Sequence, residues 1–143
     1  MRFMMLVKAN KDSEAGVLPS KELLAAMGQF NEEMAKAGVL LAGEGLHASS
    51  KGARIKCSGK ARIVTSGPFG QTNELLAGFW LIQVASMAEA LEWASRIPFT
   101  DGEEVEIRQV FEASDFPPEI FPPEDAAREQ ALRDELQRKA PKS

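Results

Sequence analysis

The chain is poor in the residues that build disulfides and zinc sites. It has one cysteine, Cys57, one histidine, His47, and no tyrosine in 143 residues. A single cysteine cannot form an intramolecular disulfide, which is the usage expected in a reducing cytoplasm. One histidine and one cysteine also leave too few soft ligands for a zinc site within one chain. We therefore predict a cytoplasmic protein without a bound metal.

Long apolar runs and concentrated positive charge are also missing. The apolar run at residues 3–7 is too short for a signal peptide or a membrane span. The formal net charge is −4 and the basic residues are scattered, so no nucleic-acid partner is expected. Gly43-Glu44-Gly45 lacks the spacing of a dinucleotide-binding loop, and no phosphate-loop signature occurs. No cofactor is therefore predicted.

What the chain does contain is the pattern of one α+β domain. Strands are predicted at residues 2–8, 39–42, 53–57, 61–65, 78–84 and 104–110, and helices at 21–37 and 87–96. The third and fourth strands, joined by Ser58-Gly59-Lys60, form a predicted β-hairpin. Without this inserted hairpin the order is βαββαβ, the ferredoxin-like arrangement with both helices on one face of the sheet. The continuous apolar run at 79–82 predicts a central strand buried on both faces.

A sheet with helices on one face leaves its other face to be covered. An isologous dimer that packs the two open faces together would cover both, so we expect a homodimer.

Three segments that occur in order along the chain resemble one family. They are Val64-Thr65-Ser66-Gly67-Pro68-Phe69, Gly78-Phe79-Trp80-Leu81-Ile82 and Glu89-Ala90-Leu91-Glu92-Trp93-Ala94. Together they resemble the YCII-related family over residues 1–112, in the branch named for its Asp-Gly-Pro-Phe (DGPF) motif. The Asp of that motif is Ser66 here.

The resemblance implies a dimeric α/β-barrel arrangement of two subunits. Members of the branch are often encoded near alternative sigma factors, which implies a regulatory association with such a factor. Some relatives have a His–Asp pair interpreted as an active site, and one relative is a dehydrochlorinase. Because Ser66 replaces the motif carboxylate, that pair is not mapped onto this chain.

Residues 113–143 differ in kind from residues 1–112, and we predict a separate Pro-rich C-terminal arm. Phe116-Pro117-Pro118-Glu119 and Phe121-Pro122-Pro123-Glu124 form a repeat that favours extended polyproline geometry. A charged helix is predicted at 124–139, where acidic residues lie four positions before basic ones. The arm is either a solvated, partly frayed helix or a segment that clasps a partner subunit.

His47 is the first candidate for chemistry, because an imidazole both takes and gives a proton near neutral pH. Glu44 lies three residues earlier, and a bulge at Gly45 would bring the two side chains together as a catalytic pair. The alternative is a half-exposed histidine at a strand end.

Ser66, Arg54 and Arg62 are further candidates for ligand binding. A serine cannot serve as a base near pH 7, and the alternative is that Ser66 caps its own turn while Phe69 fills the core. Arg54 and Arg62, like Arg108, lie in predicted strands and could bind a carboxylate bidentately, or could only cover sheet edges.

Two functions agree with this sequence. The first is a non-enzymatic homodimeric module that binds a small organic ligand or a protein partner. The second is a small cofactor-free enzyme of the lyase or hydrolase type, with His47 as general base in a pocket near the dimer interface and an arginine that binds an acidic substrate. The single histidine and the missing motif Asp favour the module.

Overall fold

The computed structural model describes residues 1–70 and 72–140, in two compact units, Met1–Val110 and Phe111–Ser143. The strands of the first unit are β1 (Arg2–Lys8), β2 (Leu40–Gly45), β3 (Ala53–Ser58), β4 (Ala61–Ser66), β5 (Leu76–Gln83) and β6 (Val105–Gln109). Its helices are α1 (Lys11–Glu14), α2 (Lys21–Lys36) and α3 (Met87–Ala94). The second unit contains α4 (Pro123–Lys139).

Four of the strands form one antiparallel sheet in the order β2-β5-β1-β6. The strands β3 and β4 form a separate two-stranded antiparallel sheet, the hairpin. When α1 and the hairpin are set aside, the chain order is βαββαβ, so the predicted α+β, ferredoxin-like fold is confirmed.

The core lies between the four-stranded sheet and the helices α2 and α3. Phe30 and Met34 of α2 and Ala90 of α3 are buried against Trp80 and Ile82 of β5. Ser20 and Ser86 are the N-cap residues of the two helices, and their hydroxyls accept the N–H hydrogen bonds of Leu23 and Glu89.

The strand β5 is buried on one face and not on both. Gly78, Trp80 and Ile82 are buried, whereas the intervening residues, Ala77, Phe79 and Leu81, are half-buried. The prediction of burial on both faces is therefore wrong for the single chain. The physical reason is that both helices cover the same face of the sheet, so alternate residues of β5 point to the uncovered side.

Two further differences lie near the ends of the sheet. The segment after β1, where the sequence predicts no helix, contains α1, whose N-cap Asn10 and third residue Ser13 form a reciprocal capping box. The strand β2 continues to Gly45, and its register irregularity lies between Leu40 and Ala42 and not at Gly45.

The second unit has its own small aromatic cluster. The rings of Phe111 and Phe116 have centroids 4.9 Å apart, and those of Phe116 and Phe121 are 5.9 Å apart. The helix α4 begins one residue before its predicted start, at a proline, which the first turn of a helix tolerates. Two of the predicted pairs four positions apart form ion pairs, Glu129 with Arg133 at 2.5 Å and Glu135 with Lys139 at 2.7 Å. Within the described residues, no helix is long and apolar enough to cross a membrane.

Candidate ligand cavity

A cavity of about 300 Å³ lies between α2 and the end of the sheet at which β1 finishes and β5 begins. Most of its lining is apolar and comes from Val7, Leu23, Leu24, Met27, Trp80 and Phe99. Its polar lining includes Asn10, Ser13, Asn31, Glu44 and Glu103. A concave, mainly apolar site with a few polar groups is the usual composition of a small-molecule site.

Three glycines, Gly43, Gly45 and Gly78, form the floor of the cavity. The strand register pairs Gly43 with Trp80 and Gly45 with Gly78, and residues paired across strands share a face of the sheet. A Cβ at Gly43 would lie 2.7 Å from Cδ1 of Trp80, so only glycine leaves room there for the indole. Gly45 is exposed and lines the cavity, and a Cβ there would have nothing within 4 Å.

One wall of the cavity is the indole of Trp80. Its Nε1 donates a hydrogen bond to Oδ1 of Asn31 at 2.8 Å. The ring meets Phe30 edge-to-face at a centroid distance of 5.5 Å and lies 6.2 Å from the ring of Phe99. These contacts fix the orientation of the indole, since buried aromatic pairs prefer such geometries and a buried indole N–H requires an acceptor.

The charged groups at the edge of the cavity are largely paired within the protein. Nζ of Lys8 lies 3.4 Å from Oε1 of Glu106. The hydrogen bond from Arg108, and then the charge of Lys8, hold the pKa of the Glu106 carboxyl below its usual range. Oε2 of Glu103 accepts a hydrogen bond from the Thr100 N–H at 2.9 Å. The Lys8 ammonium is therefore already paired with the Glu106 carboxylate, which makes it a poor partner for an anionic ligand.

Glu44 is the one predicted site residue that lines this cavity, although the register places it opposite Phe79, on the uncovered face of the sheet. His47 lies two residues after the end of β2, is exposed, and forms no hydrogen bond or ion pair with any described residue. The structure therefore does not bring Glu44 and His47 together as a hydrogen-bonded pair.

The other predicted site residues lie in the hairpin, outside the lining of the cavity. Ser66 is the exposed last residue of β4. The guanidinium of Arg54 stacks 3.9 Å above the ring of Phe69, which is half-buried and lies outside the main core. Arg62 donates hydrogen bonds to two carbonyl oxygens of its own hairpin turn, at 3.2 and 3.0 Å.

Ser49, which the sequence analysis did not single out, holds the root of the hairpin. Its N–H and hydroxyl donate to the carboxylate of Glu14, at 3.0 and 2.6 Å respectively. Its Oγ also accepts the Phe69 N–H at 3.0 Å. A Cβ at Gly67 would lie 1.8 Å from the Ser49 carbonyl oxygen, so this glycine permits a close backbone approach. We call Glu14, Ser49 and Phe69 the root clamp.

A signal for this clamp was present in the sequence. Asn10 is a residue type that favours the N-cap of a helix, and this preference would have placed Glu14 on a short helix. Its partner across the chain, Ser49, has no such local signal.

For metal binding, the described ranges 1–70 and 72–140 contain no cluster of three or more His, Cys, Asp or Glu residues suited to an ion. The chemistry that the cavity supports is the enclosure of an apolar group beside hydrogen-bonding amides and hydroxyls.

Residues 1–114 match the YCII-related domain, and the chain belongs to the YCII-related family. An uncharacterized protein of Rhizobium meliloti (strain 1021) is 36% identical over 69 residues, which are 46% of this chain and 56% of that protein. The match thus spans little more than half of the relative.

A solved structure, that of 5-chloro-2-hydroxyhydroquinone dehydrochlorinase from Burkholderia phenoliruptrix AC1100 in complex with 2,5-dihydroxybenzoquinone, is similar at a TM-score of 0.41 and 11% identity. The similarity covers 82% of this chain and all of that one. A TM-score this low carries no inference about the activity of the present chain.

Proposed function

We propose that this chain is a homodimeric YCII-related module that binds a small, mainly apolar ligand in the cavity between α2 and the sheet. The observation that carries the proposal is the mainly apolar cavity of about 300 Å³, whose lining includes three glycines and an indole. A paired strand position that bears no side chain, such as Gly45, forms a floor that a ligand can approach closely.

The lining favours a neutral ligand with a flat or branched apolar body. Trp80 and Phe99 offer aromatic surface, and Asn10, Ser13 and Asn31 offer hydrogen-bonding groups. The volume of about 300 Å³ lies at the small end of the range for ligand pockets. An acidic ligand is disfavoured, because Glu44 and Glu103 add negative charge and Lys8 is already paired.

The experiment that tests this proposal is a screen of neutral aromatic and aliphatic fragments against the wild-type protein and Gly45→Val. The valine side chain points into the cavity and fits a strand, so we expect Gly45→Val to fold normally and to lose at least ~10-fold in fragment affinity.

Gly28→Val is the matched control, because Gly28 is exposed on α2, outside the cavity lining, and an added Cβ there also meets nothing. His47→Ala is a second control that should bind as the wild type does. Fragments that bind Gly45→Val as well as the wild type would place the site elsewhere.

The homodimer is part of this proposal, and the uncovered face of the sheet supports it. Met4 is paired with Leu81 and Leu6 with Phe79, so these four half-buried apolar side chains are neighbours on that face. A patch of this kind on an otherwise complete sheet is typical of a subunit interface. An isologous contact would cover the patch on both copies at once.

The enzyme alternative has less support from the described residues. General-base catalysis by His47 requires a group that orients the imidazole, and His47 has no such partner among the residues that the structure describes. The regulatory association with a sigma factor stays a prediction, and co-purification with the tagged protein would test it.

A further inference from the structure

The hairpin of β3 and β4 concentrates positive charge. Lys51, Arg54, Lys56, Lys60 and Arg62 lie within twelve residues, and the sequence between Glu44 and Glu74 contains no acidic residue. The rest of the chain contains the other 12 of the 17 basic residues and all 21 acidic residues. Its formal net charge is therefore −9. The expectation that the basic residues are scattered is therefore wrong for this stretch, in which Lys51 lies just before β3 and the other four lie in the hairpin.

The same hairpin exposes apolar side chains. Ile55 and Val64 form a cross-strand pair and are 66% and 63% exposed, and Ile63 is 51% exposed. Every residue of both strands is exposed. A two-stranded hairpin alone is marginally stable in water, and β-branched residues are typical of half-buried strands and not of solvated ones.

The root of the hairpin, in contrast, is well fixed. The root clamp ties it to α1, and the Gly67 N–H donates to the Gly52 carbonyl at 2.9 Å. The hairpin is thus an anchored arm with an uncovered tip. Basic residues on free strand edges also prevent edge-to-edge aggregation. That role accounts for the charges and leaves the exposed isoleucines and valine unexplained.

We propose that this hairpin is an arm that packs on the acidic surface of a second copy of the chain. Charge complementarity indicates that the partner is a second copy, since all charged residues of the arm are basic and the remainder of the same chain is acidic. Two arms repel each other, so each arm must contact the body of the other copy, which is a reciprocal contact that a two-fold axis permits.

A nucleic acid fits the arm less well. Phosphates would pair with the lysines and arginines, but they would not cover Ile55, Ile63 and Val64. The acidic remainder of the chain would also repel a polyanion.

The inference rests on the proposed homodimer and is tested by the reactivity of Cys57. This residue is the only cysteine of the chain, is exposed, and lies on the same hairpin face as Ile55 and Val64. The rate of its reaction with N-ethylmaleimide, a neutral reagent, should fall as protein concentration rises, in parallel with dimer formation measured by analytical ultracentrifugation.

Lys56→Glu is the informative variant for the charge of the arm, because Lys56 is exposed in the middle of β3, on the opposite face from Cys57, and reversal of its charge opposes an acidic partner surface. We expect it to raise the dimer Kd by about tenfold or more and to restore fast reaction of Cys57. Lys36→Glu makes the same charge change at an exposed position at the end of α2. It should change neither the dimer Kd nor the reaction rate of Cys57. Ile55→Thr keeps the β-branched shape, removes apolar surface, and should act as Lys56→Glu does.

Three results would overturn the inference, and they differ in whether they also refute the proposed homodimer. A dimer in which Cys57 reacts at the same rate as in Lys56→Glu would refute the arm and leave the homodimer intact. A monomer at every concentration would refute both. Protection of Cys57 by a DNA duplex, with no dependence on protein concentration, would assign the arm to nucleic acid.

Discussion

At the scale of single residues, three glycines shape the cavity and the root of the hairpin by leaving space that a side chain would fill. Gly43 accommodates the Trp80 indole, and Gly45 leaves the cavity open. Gly67 lets the chain pass close to the Ser49 carbonyl. None of these glycines requires a positive φ, so their roles depend on neighbours that are distant in sequence.

Gly67 provides a test at this scale. We expect Gly67→Ala to lower the free energy of unfolding by about 1–3 kcal/mol, because the added Cβ would overlap a backbone oxygen that cannot move freely. Urea denaturation would measure the change. Gly70→Ala is the control, since its Cβ has open space, and it should remain within ~0.5 kcal/mol of the wild type. Equal stabilities for the two variants would contradict the close approach.

At the scale of elements, the sequence predicted the strands and the two long helices because apolar periodicity and capping residues are local signals. It missed α1, a four-residue helix in a polar stretch, since a capping box without an apolar stripe is easily taken for a turn. It also assigned burial to both faces of β5, because an apolar run cannot tell a covered face from one left uncovered within its own chain.

The candidate site could not be predicted in the same way. The cavity floor exists because Gly45 of β2 lies opposite Gly78 of β5, and that pairing depends on strand register. His47 was a candidate general base because of its residue type alone, whereas the fold places it outside the cavity lining.

The root clamp gives a prediction for the contact between elements. Ser49→Ala removes a hydroxyl that donates to a carboxylate and accepts a backbone N–H, so we expect a loss of about 1–2 kcal/mol in unfolding free energy. Glu14→Gln combined with Ser49→Ala should cost less than the sum of the two single changes. Ser50→Ala, the exposed neighbour, should have little effect. Additive effects of Glu14→Gln and Ser49→Ala would show that the two side chains are not coupled.

At the scale of the whole molecule, the first unit combines a complete core with two uncovered surfaces, the apolar face of the sheet and the basic hairpin. Both surfaces agree with a second copy as partner. Most of the cavity lining lies on the helix-covered side of the sheet, but Phe79 belongs both to this lining and to the apolar patch on the other face.

The dimer prediction can be tested on the sheet face alone. Leu81→Lys places a charge beside Met4 in the apolar patch, and we expect it to raise the dimer Kd at least ~10-fold, because a desolvated, unpaired charge opposes association. Leu91→Lys on the exposed side of α3 is the matched control. Sedimentation equilibrium would measure both. A wild-type dimer that Leu81→Lys leaves unchanged would move the interface to another surface.

The most direct test of the central claim is the indole N–H signal of Trp80 in a fragment titration followed by NMR. Trp80 lines the cavity, whereas Trp93 does not and instead contacts Arg96, so the chain supplies its own internal reference. A ligand in the cavity should shift the Trp80 signal in a saturable way and leave that of Trp93 in place, and Gly45→Val should abolish the shift. A bound fragment that leaves the Trp80 signal unmoved, or that shifts it equally in Gly45→Val, would contradict the assignment of the cavity as the binding site.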